Sequence, residues 1–112
     1  MSYSVIPTSR FKKEAKRLIK KFNSLKEELS ELNDQLQKDP FVGVALGNNA
    51  FKLRLAIKSK GKGKSGGARI ITYVVTSAKE VYLLTIYDKS DMENIDDKSL
   101  KTIIAEIVKQ LK

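Results

Sequence analysis

The chain has 112 residues, enough for one domain (1–112), and no apolar run approaches the roughly 20 residues that span a bilayer. It contains no cysteine and no histidine, which excludes disulfides, thiolate zinc sites, thiol nucleophiles and histidine acid–base catalysis. A net charge of +9, from 22 basic and 13 acidic residues, favours a polyanionic partner.

The first predicted element is a short strand over residues 2–6. It should lie at an edge of the sheet, because Pro7 stops it. Residues 1–13 contain no signal-type apolar core, so we expect a cytoplasmic protein without membrane contact. Thr8 or Ser9 can cap the helix that follows. Its apolar stripe has helical spacing: Phe11, Ala15, Leu18 and Phe22.

A second helix is predicted from a capping-box pattern at residues 24–27 to Pro40, which resists helical continuation. Its stripe consists of Leu25, Leu29, Leu32 and Leu36. The connection near Asn23 is very short, so we expect an antiparallel helix pair, with one long helix as the alternative. Residues 41–49 contain glycine and asparagine and are expected to form a loop.

Three further strands are predicted. Residues 50–58 alternate between apolar and polar side chains, which is typical of a half-buried strand. Residues 68–76 and 80–87 are rich in Val, Ile, Tyr and Thr and should form a hairpin with its turn at residues 77–79.

Asp96 or Asp97 can cap a C-terminal helix, whose stripe is Leu100, Ile103, Ile104, Ile107, Val108 and Leu111. The predicted order is therefore β-α-α-β-β-β-α. This order indicates an α+β fold with an antiparallel sheet of about four strands. The N-terminal helix pair should cover one face and leave the basic residues open on the other.

Basic residues are concentrated in the middle of the chain. Alternation places Lys52 and Arg54 on the strand face opposite the core. A glycine-rich connection follows and leads to Arg69; its lysines are Lys58, Lys60, Lys62 and Lys64. Cations this dense repel one another until phosphates neutralise them, so we expect these lysines to bind RNA.

The hairpin register predicts a cluster at one end of the sheet. With Thr76 opposite Glu80, Arg69 faces Tyr87, although a slip of one residue would destroy this pairing. Lys89 would extend the same corner. Whether Arg69 shares a face with Lys52 and Arg54 depends on the loop and stays open. The acidic residues nearby (Asp88, Asp91, Glu93, Asp96 and Asp97) match no metal-binding loop and are expected to cap a helix.

Three segments together, residues 51–54, 60–71 and 82–89, resemble the RelE/ParE toxin superfamily, and most of all its HigB-like branch. The resemblance implies a toxin of a type II toxin–antitoxin system that cuts mRNA in the ribosomal A site. It implies attack by the 2′-hydroxyl on the adjacent phosphate, without a metal ion or another cofactor. The implied partners are the ribosome, mRNA and a helix-turn-helix antitoxin. The residues that match the family's active site are Lys52, Arg54, Arg69 and Lys89, with Tyr87 close by.

Basic residues can perform this chemistry without histidine. Crowded positive charges favour the neutral form of a lysine, which can then accept the 2′-hydroxyl proton. We expect Lys52 or Arg54 to act as the base and to orient the RNA. Arg69 would stabilise the charge that develops on the phosphorane. Tyr87 and Lys89 would act on the leaving side or stack on a base.

Two other functions compete with this one. A ParE-like toxin shares the fold but inhibits DNA gyrase without cutting RNA, and the basic strand residues argue against it. A non-catalytic basic RNA-binding module would bind RNA and leave no cleavage products.

Overall fold

A computed structural model describes residues 2–61, 66–90 and 96–111. The elements, in chain order, are β1 (Ser4–Pro7), α1 (Ser9–Lys21), α2 (Leu25–Lys38), β2 (Val44–Gly47), β3 (Ala50–Leu55), β4 (Ala68–Val75), β5 (Glu80–Asp88) and α3 (Asp97–Leu111). One turn of 3-10 helix, Lys58–Lys60, follows β3. The predicted α+β class is confirmed, as is the division of the N-terminal helical region into two helices.

The strands form one mixed sheet in the order β1-β5-β4-β3-β2. β1 lies at an edge, as predicted, but it pairs in parallel with β5. The other neighbours are antiparallel. The prediction of an antiparallel sheet of about four strands is therefore corrected to a mixed sheet of five. β1 and β5 can pair in parallel because no turn joins them: both first helices and strands β2 to β4 lie between them in the chain.

The additional strand is β2, in the segment that was predicted to be a loop. It pairs with β3 through a tight turn, in which Asn48 and Asn49 have φ values of 53° and 66°. Asparagine tolerates this left-handed region, which two-residue hairpin turns require. The strand was missed because it is short and its turn lacks the usual Asn-Gly pair.

The helix ends differ in how they are capped. The Thr8 hydroxyl accepts a hydrogen bond from the Phe11 N–H at 3.2 Å, so the predicted cap of α1 is confirmed. The capping box predicted for α2 is wrong, because Ser24 makes no side-chain cap. Its hydroxyl donates instead to Glu28 at 3.1 Å. The other carboxylate oxygen of Glu28 accepts from the Lys58 N–H at 2.8 Å, which ties the 3-10 turn to α2.

Both faces of the sheet carry an apolar core. On one face α1 and α2 pack through residues that include Phe11, Leu18, Leu25 and Leu36. On the other, α3 packs Leu100, Ile104 and Ile107 against Ile71, Leu84 and Tyr87. The face that was expected to stay open is thus partly covered by α3. Within the described residues, no helix is long and apolar enough to cross a membrane.

Candidate active site

A row of three candidate residues crosses the sheet. Arg54 on β3 lies directly opposite Arg69 on β4, and Arg69 lies opposite Tyr87 on β5. Lys52 is opposite Ile71, one step along the same face. All four side chains therefore belong to the face that α3 partly covers. The sequence left open whether Arg69 shares a face with Lys52 and Arg54, and the register shows that it does.

The predicted pairing of Arg69 with Tyr87 is confirmed, but the turn and the register of the hairpin differ from the prediction. The hairpin turn spans residues 76–79, and Val75, not Thr76, pairs with Glu80. A β-bulge then adds one residue to β5, because Thr72 pairs with Leu83 while Ile71 pairs with Thr85. The turn error and the bulge are each one residue and cancel, so Arg69 still faces Tyr87.

Arg69 is held in a nearly dry position, with only 7% of its surface exposed. Its guanidinium donates to the Ala68 carbonyl oxygen at 3.2 Å. Burial and, after it, the positive charge of Arg54 lower the pKa of Arg69 from its ordinary value, while Tyr87 opposes this shift. A guanidinium stays protonated near neutral pH. A cation with little water around it gains more from a phosphate oxygen than an exposed one does.

Within the row, Arg69 and Tyr87 are buried and Arg54 is exposed. Tyr87 is 7% exposed and its ring belongs to the α3 core, whereas Arg54 is exposed and Lys52 is half-buried. A phosphate could thus approach from the Arg54 side and meet Arg69 deeper in the sheet. The arrangement offers two forked donors and a nearby phenol, which suits a phosphodiester and its pentacovalent transition state.

The loop lysines are not equivalent. Lys58 is exposed in the 3-10 turn. Lys60 forms an ion pair with Asp88, donates to Ser90 Oγ at 2.9 Å, and lies 5.7 Å from the centre of the Phe22 ring. Its ammonium is therefore engaged within the protein. The predicted RNA-binding residues Lys62 and Lys64 lie outside the described residues.

Lys89 follows directly after β5 and is half-buried. Its backbone N–H donates to the Gly67 carbonyl oxygen at 3.1 Å, so it lies beside the start of β4. Gly67 itself approaches β3 closely, since an added Cβ would lie 2.0 Å from the Leu55 carbonyl oxygen. The backbone at this end of the sheet therefore brings Lys89 to the same corner as Arg69.

The acidic residues divide into different roles. Asp96 caps α3 by accepting from the Ser99 N–H at 2.7 Å, as predicted. The capping role predicted for Asp88 is wrong, because its carboxylate pairs with Lys60 at the end of β5. Asp91 and Glu93 lie outside the described residues. One feature of the sequence could have indicated this ion pair: Asp88 is an acid at the end of an apolar strand in a chain with excess lysine.

The Lys60–Asp88 pair should stabilise the corner beside Tyr87. The side chains are only 11% and 2% exposed, so the pair is screened little by water. Asp88→Asn would leave Lys60 charged and poorly solvated, and we expect it to cost about 3 kcal/mol of unfolding free energy. Urea denaturation at pH 7 measures this cost. The exposed Asp34→Asn on α2 is the matched control, and equal stability of the two variants would contradict the prediction.

The Lys60–Asp88 pair should also make the stability of the fold depend on pH. Burial tends to raise the pKa of Asp88, but the hydrogen bonds from Lys60 and Ser90 and the charges of Lys60 and Lys21 outweigh it, so the pKa lies below its ordinary value of 3.8. A depressed pKa in the folded state stabilises the fold above the unfolded value and loses this effect as pH falls through the folded value. We therefore expect the stability gap between wild type and Asp88→Asn to narrow below about pH 4.

Comparison with known proteins gives two findings. The model of one protein family, described as "RelE toxin of RelE / RelB toxin-antitoxin system", matches residues 4–112. Among solved structures, the chain is similar to the E. coli toxin RelE, solved in the free state as a double arginine-to-alanine mutant. The TM-score is 0.63 at 16% identity, and each chain is covered over 100% of its length. At this identity the structural likeness concerns the fold, and the family rests on the matching model.

Proposed function

Because this chain belongs to the RelE toxin family, it is the toxin of a toxin–antitoxin system, and we propose that it inhibits translation by cutting mRNA on the ribosome. Family membership confirms the resemblance to the RelE/ParE superfamily that the sequence indicated. The narrower HigB-like assignment stays a prediction. The antitoxin is proposed to be a helix-turn-helix protein, as the resemblance implies.

The observation that carries this proposal is the row formed by Arg54, Arg69 and Tyr87. Cleavage begins when the 2′-hydroxyl of a nucleotide loses its proton and attacks the adjacent phosphorus. The bond to the 5′-oxygen of the next nucleotide then breaks, leaving a 2′,3′-cyclic phosphate and a 5′-hydroxyl end. Every step is a proton transfer or a charge movement that basic and phenolic side chains can assist.

The positions of the side chains suggest a division of roles. Of the two residues proposed to orient the RNA and accept the 2′-hydroxyl proton, Lys52 is the one that could take the proton. Arg54, which is exposed and whose guanidinium stays protonated, would orient the RNA. Arg69 would hold the phosphorane oxygens, because its buried charge acts most strongly where negative charge develops. Tyr87, together with Lys89, would protonate the departing 5′-oxygen or stack on a base.

A cleavage assay on programmed ribosomes tests the proposal. Purified toxin is mixed with ribosomes that carry an mRNA and an empty A site, and the new ends are mapped. We expect cuts only with ribosomes present, and products that end in a cyclic phosphate and a 5′-hydroxyl. A matched mRNA with a single 2′-deoxy nucleotide at the cut position should stay intact, because it lacks the attacking group.

The same experiment separates the competing functions. Binding to ribosomes without any RNA ends would favour a non-catalytic RNA-binding module. Inhibition of supercoiling in a gyrase assay, with intact mRNA, would favour a ParE-like activity. Cleavage of the 2′-deoxy mRNA at an unchanged rate would contradict the proposed attack by the 2′-hydroxyl.

A further inference from the structure

The β-bulge in β5 sets which residue faces Arg69. Leu84 has no Cα partner in β4, since the pairing passes from Leu83 to Thr85. If the register of the turn continued without this extra residue, Arg69 would face Ile86 and not Tyr87. The side chain of Ile86 belongs to the core on the opposite face, beneath α1 and α2. The row across the sheet therefore exists only because of the bulge.

Two residues beside this bulge belong to α1: Thr8, its N-cap, and Glu14, in its second turn. The hydroxyl of Thr8 lies 3.0 Å from the Leu83 carbonyl oxygen and 3.2 Å from that of Leu84. One carboxylate oxygen of Glu14 accepts from the Thr85 hydroxyl at 2.7 Å and from the Ile86 N–H at 3.3 Å. Together these contacts cover the bulge from Leu83 to Ile86. They lie just past Pro7 and Leu83, the last pair between β1 and β5, and so satisfy polar groups of β5 that β1 no longer reaches.

The orientation of Glu14 distinguishes it from its neighbours on α1. The side chains around it are cationic and exposed: Arg10, Lys12, Lys13, Lys16 and Arg17. Glu14 is half-buried and turns towards the sheet, with Arg10 3.6 Å away one helical turn earlier. A carboxylate that accepts two hydrogen bonds at the irregular point of a strand fixes that point more firmly than apolar packing alone.

We propose that Glu14, with Thr8, is a positioning residue that locks the β5 bulge from the edge of β5, just beyond its last pair with β1, and so places Tyr87 beside Arg69. The expected effect on mRNA cleavage rests on the proposed function, whereas the expected effect on the pairing of β4 with β5 does not. The hydrogen bonds of both residues described above are with β5 and within α1. Their effect on cleavage passes through the backbone of β5.

Nuclear Overhauser contacts between backbone protons test the lock without any RNA. Wild-type protein should show contacts between Arg69 and Tyr87. In Glu14→Ala these contacts should weaken, with new contacts between Arg69 and Ile86 or broadened signals around Leu84. Glu14→Gln retains a side-chain oxygen acceptor and should restore the wild-type pattern. Unchanged contacts between Arg69 and Tyr87 in folded Glu14→Ala would overturn the proposal.

Single-turnover cleavage at saturating ribosomes tests the effect of Glu14 on the reaction. We expect Glu14→Ala to slow cleavage by about tenfold or more with little change in the half-saturating ribosome concentration, because a small misplacement of a reacting group is costly. Glu31→Ala, an exposed glutamate on α2, is the matched control and should cleave as wild type. In a Tyr87→Phe background the loss from Glu14→Ala should largely disappear, since both changes act through the same hydroxyl. Fully additive losses would overturn the coupling.

A second variant addresses loss of folding. Thr85→Val removes only the hydroxyl that donates to Glu14 and keeps the size of the buried side chain. It should shift the Arg69–Tyr87 contacts in the same direction as Glu14→Ala, and a wild-type pattern would count against the lock. If the wild-type protein cuts no mRNA, the proposed function fails, while the backbone contacts still decide whether Glu14 holds the register.

Discussion

Arg69→Ala is expected to slow single-turnover mRNA cleavage by about two to three orders of magnitude, the usual cost of removing one donor to a developing oxyanion. Arg69 is 7% exposed and lies between Arg54 and Tyr87. In the variant, solvent water therefore cannot easily supply the stabilisation of the phosphorane that the guanidinium provides. The loss should appear in the rate at saturating ribosomes, because the interaction strengthens as charge develops on the phosphorane. The measurement is the rate of appearance of the 5′-hydroxyl fragment.

Two further variants show whether geometry or charge is responsible. Arg69→Lys keeps the charge but loses the planar fork, and we expect it to recover only part of the rate. Arg17→Ala removes an equal charge from the exposed side of α1, and its rate at saturation should match wild type. Wild-type cleavage by a folded Arg69→Ala protein would exclude Arg69 from the chemistry.

The sequence predicted the elements of the sheet better than their pairing. Alternation correctly assigned Lys52 and Arg54 to one face, because a period of two is a local property of a strand. The direction of β1 and the existence of β2 depend on contacts between distant segments, and periodicity carries no information about these. The pairing of Arg69 with Tyr87 was predicted through a turn that was wrong by one residue and a bulge that was not foreseen.

The supporting residues of the site were also invisible in the sequence. No prediction was made for Glu14, the one acidic residue among the basic residues of α1, and Thr8 was predicted only as a helix cap. Their contacts with β5 span more than 70 residues of chain, so no local pattern could reveal them. Lys60 shows the opposite case, since a lysine in a glycine-rich loop suggested RNA binding but pairs with Asp88. Charge patterns predict the kind of partner, and the fold decides which charges remain available.

Tyr87 should show two separable effects, one from its ring and one from its hydroxyl. The ring packs with Leu100, Ile104 and Ile107 of α3, so Tyr87→Ala should cost about 3–5 kcal/mol of unfolding free energy. That is a large part of the roughly 5–15 kcal/mol of a typical domain. Tyr87→Phe keeps the ring and should cost about 1 kcal/mol. Urea denaturation of the two variants measures the difference.

The rate of mRNA cleavage measures the contribution of the Tyr87 hydroxyl separately from that of its ring. If the phenol of Tyr87 protonates the departing 5′-oxygen, Tyr87→Phe should cut mRNA at least about 100-fold more slowly although it is folded, because general acid catalysis typically contributes at least this factor. Tyr82→Phe is the matched control: it lies on the same strand, its hydroxyl donates to Glu80 at 3.0 Å, and it should cut normally. A Tyr87→Phe protein with the wild-type rate would contradict the proton-transfer role and leave packing against α3 as the contribution of the ring. The leaving-group proton would then have to come from another group at this corner, of which Lys89 is the nearest along the chain.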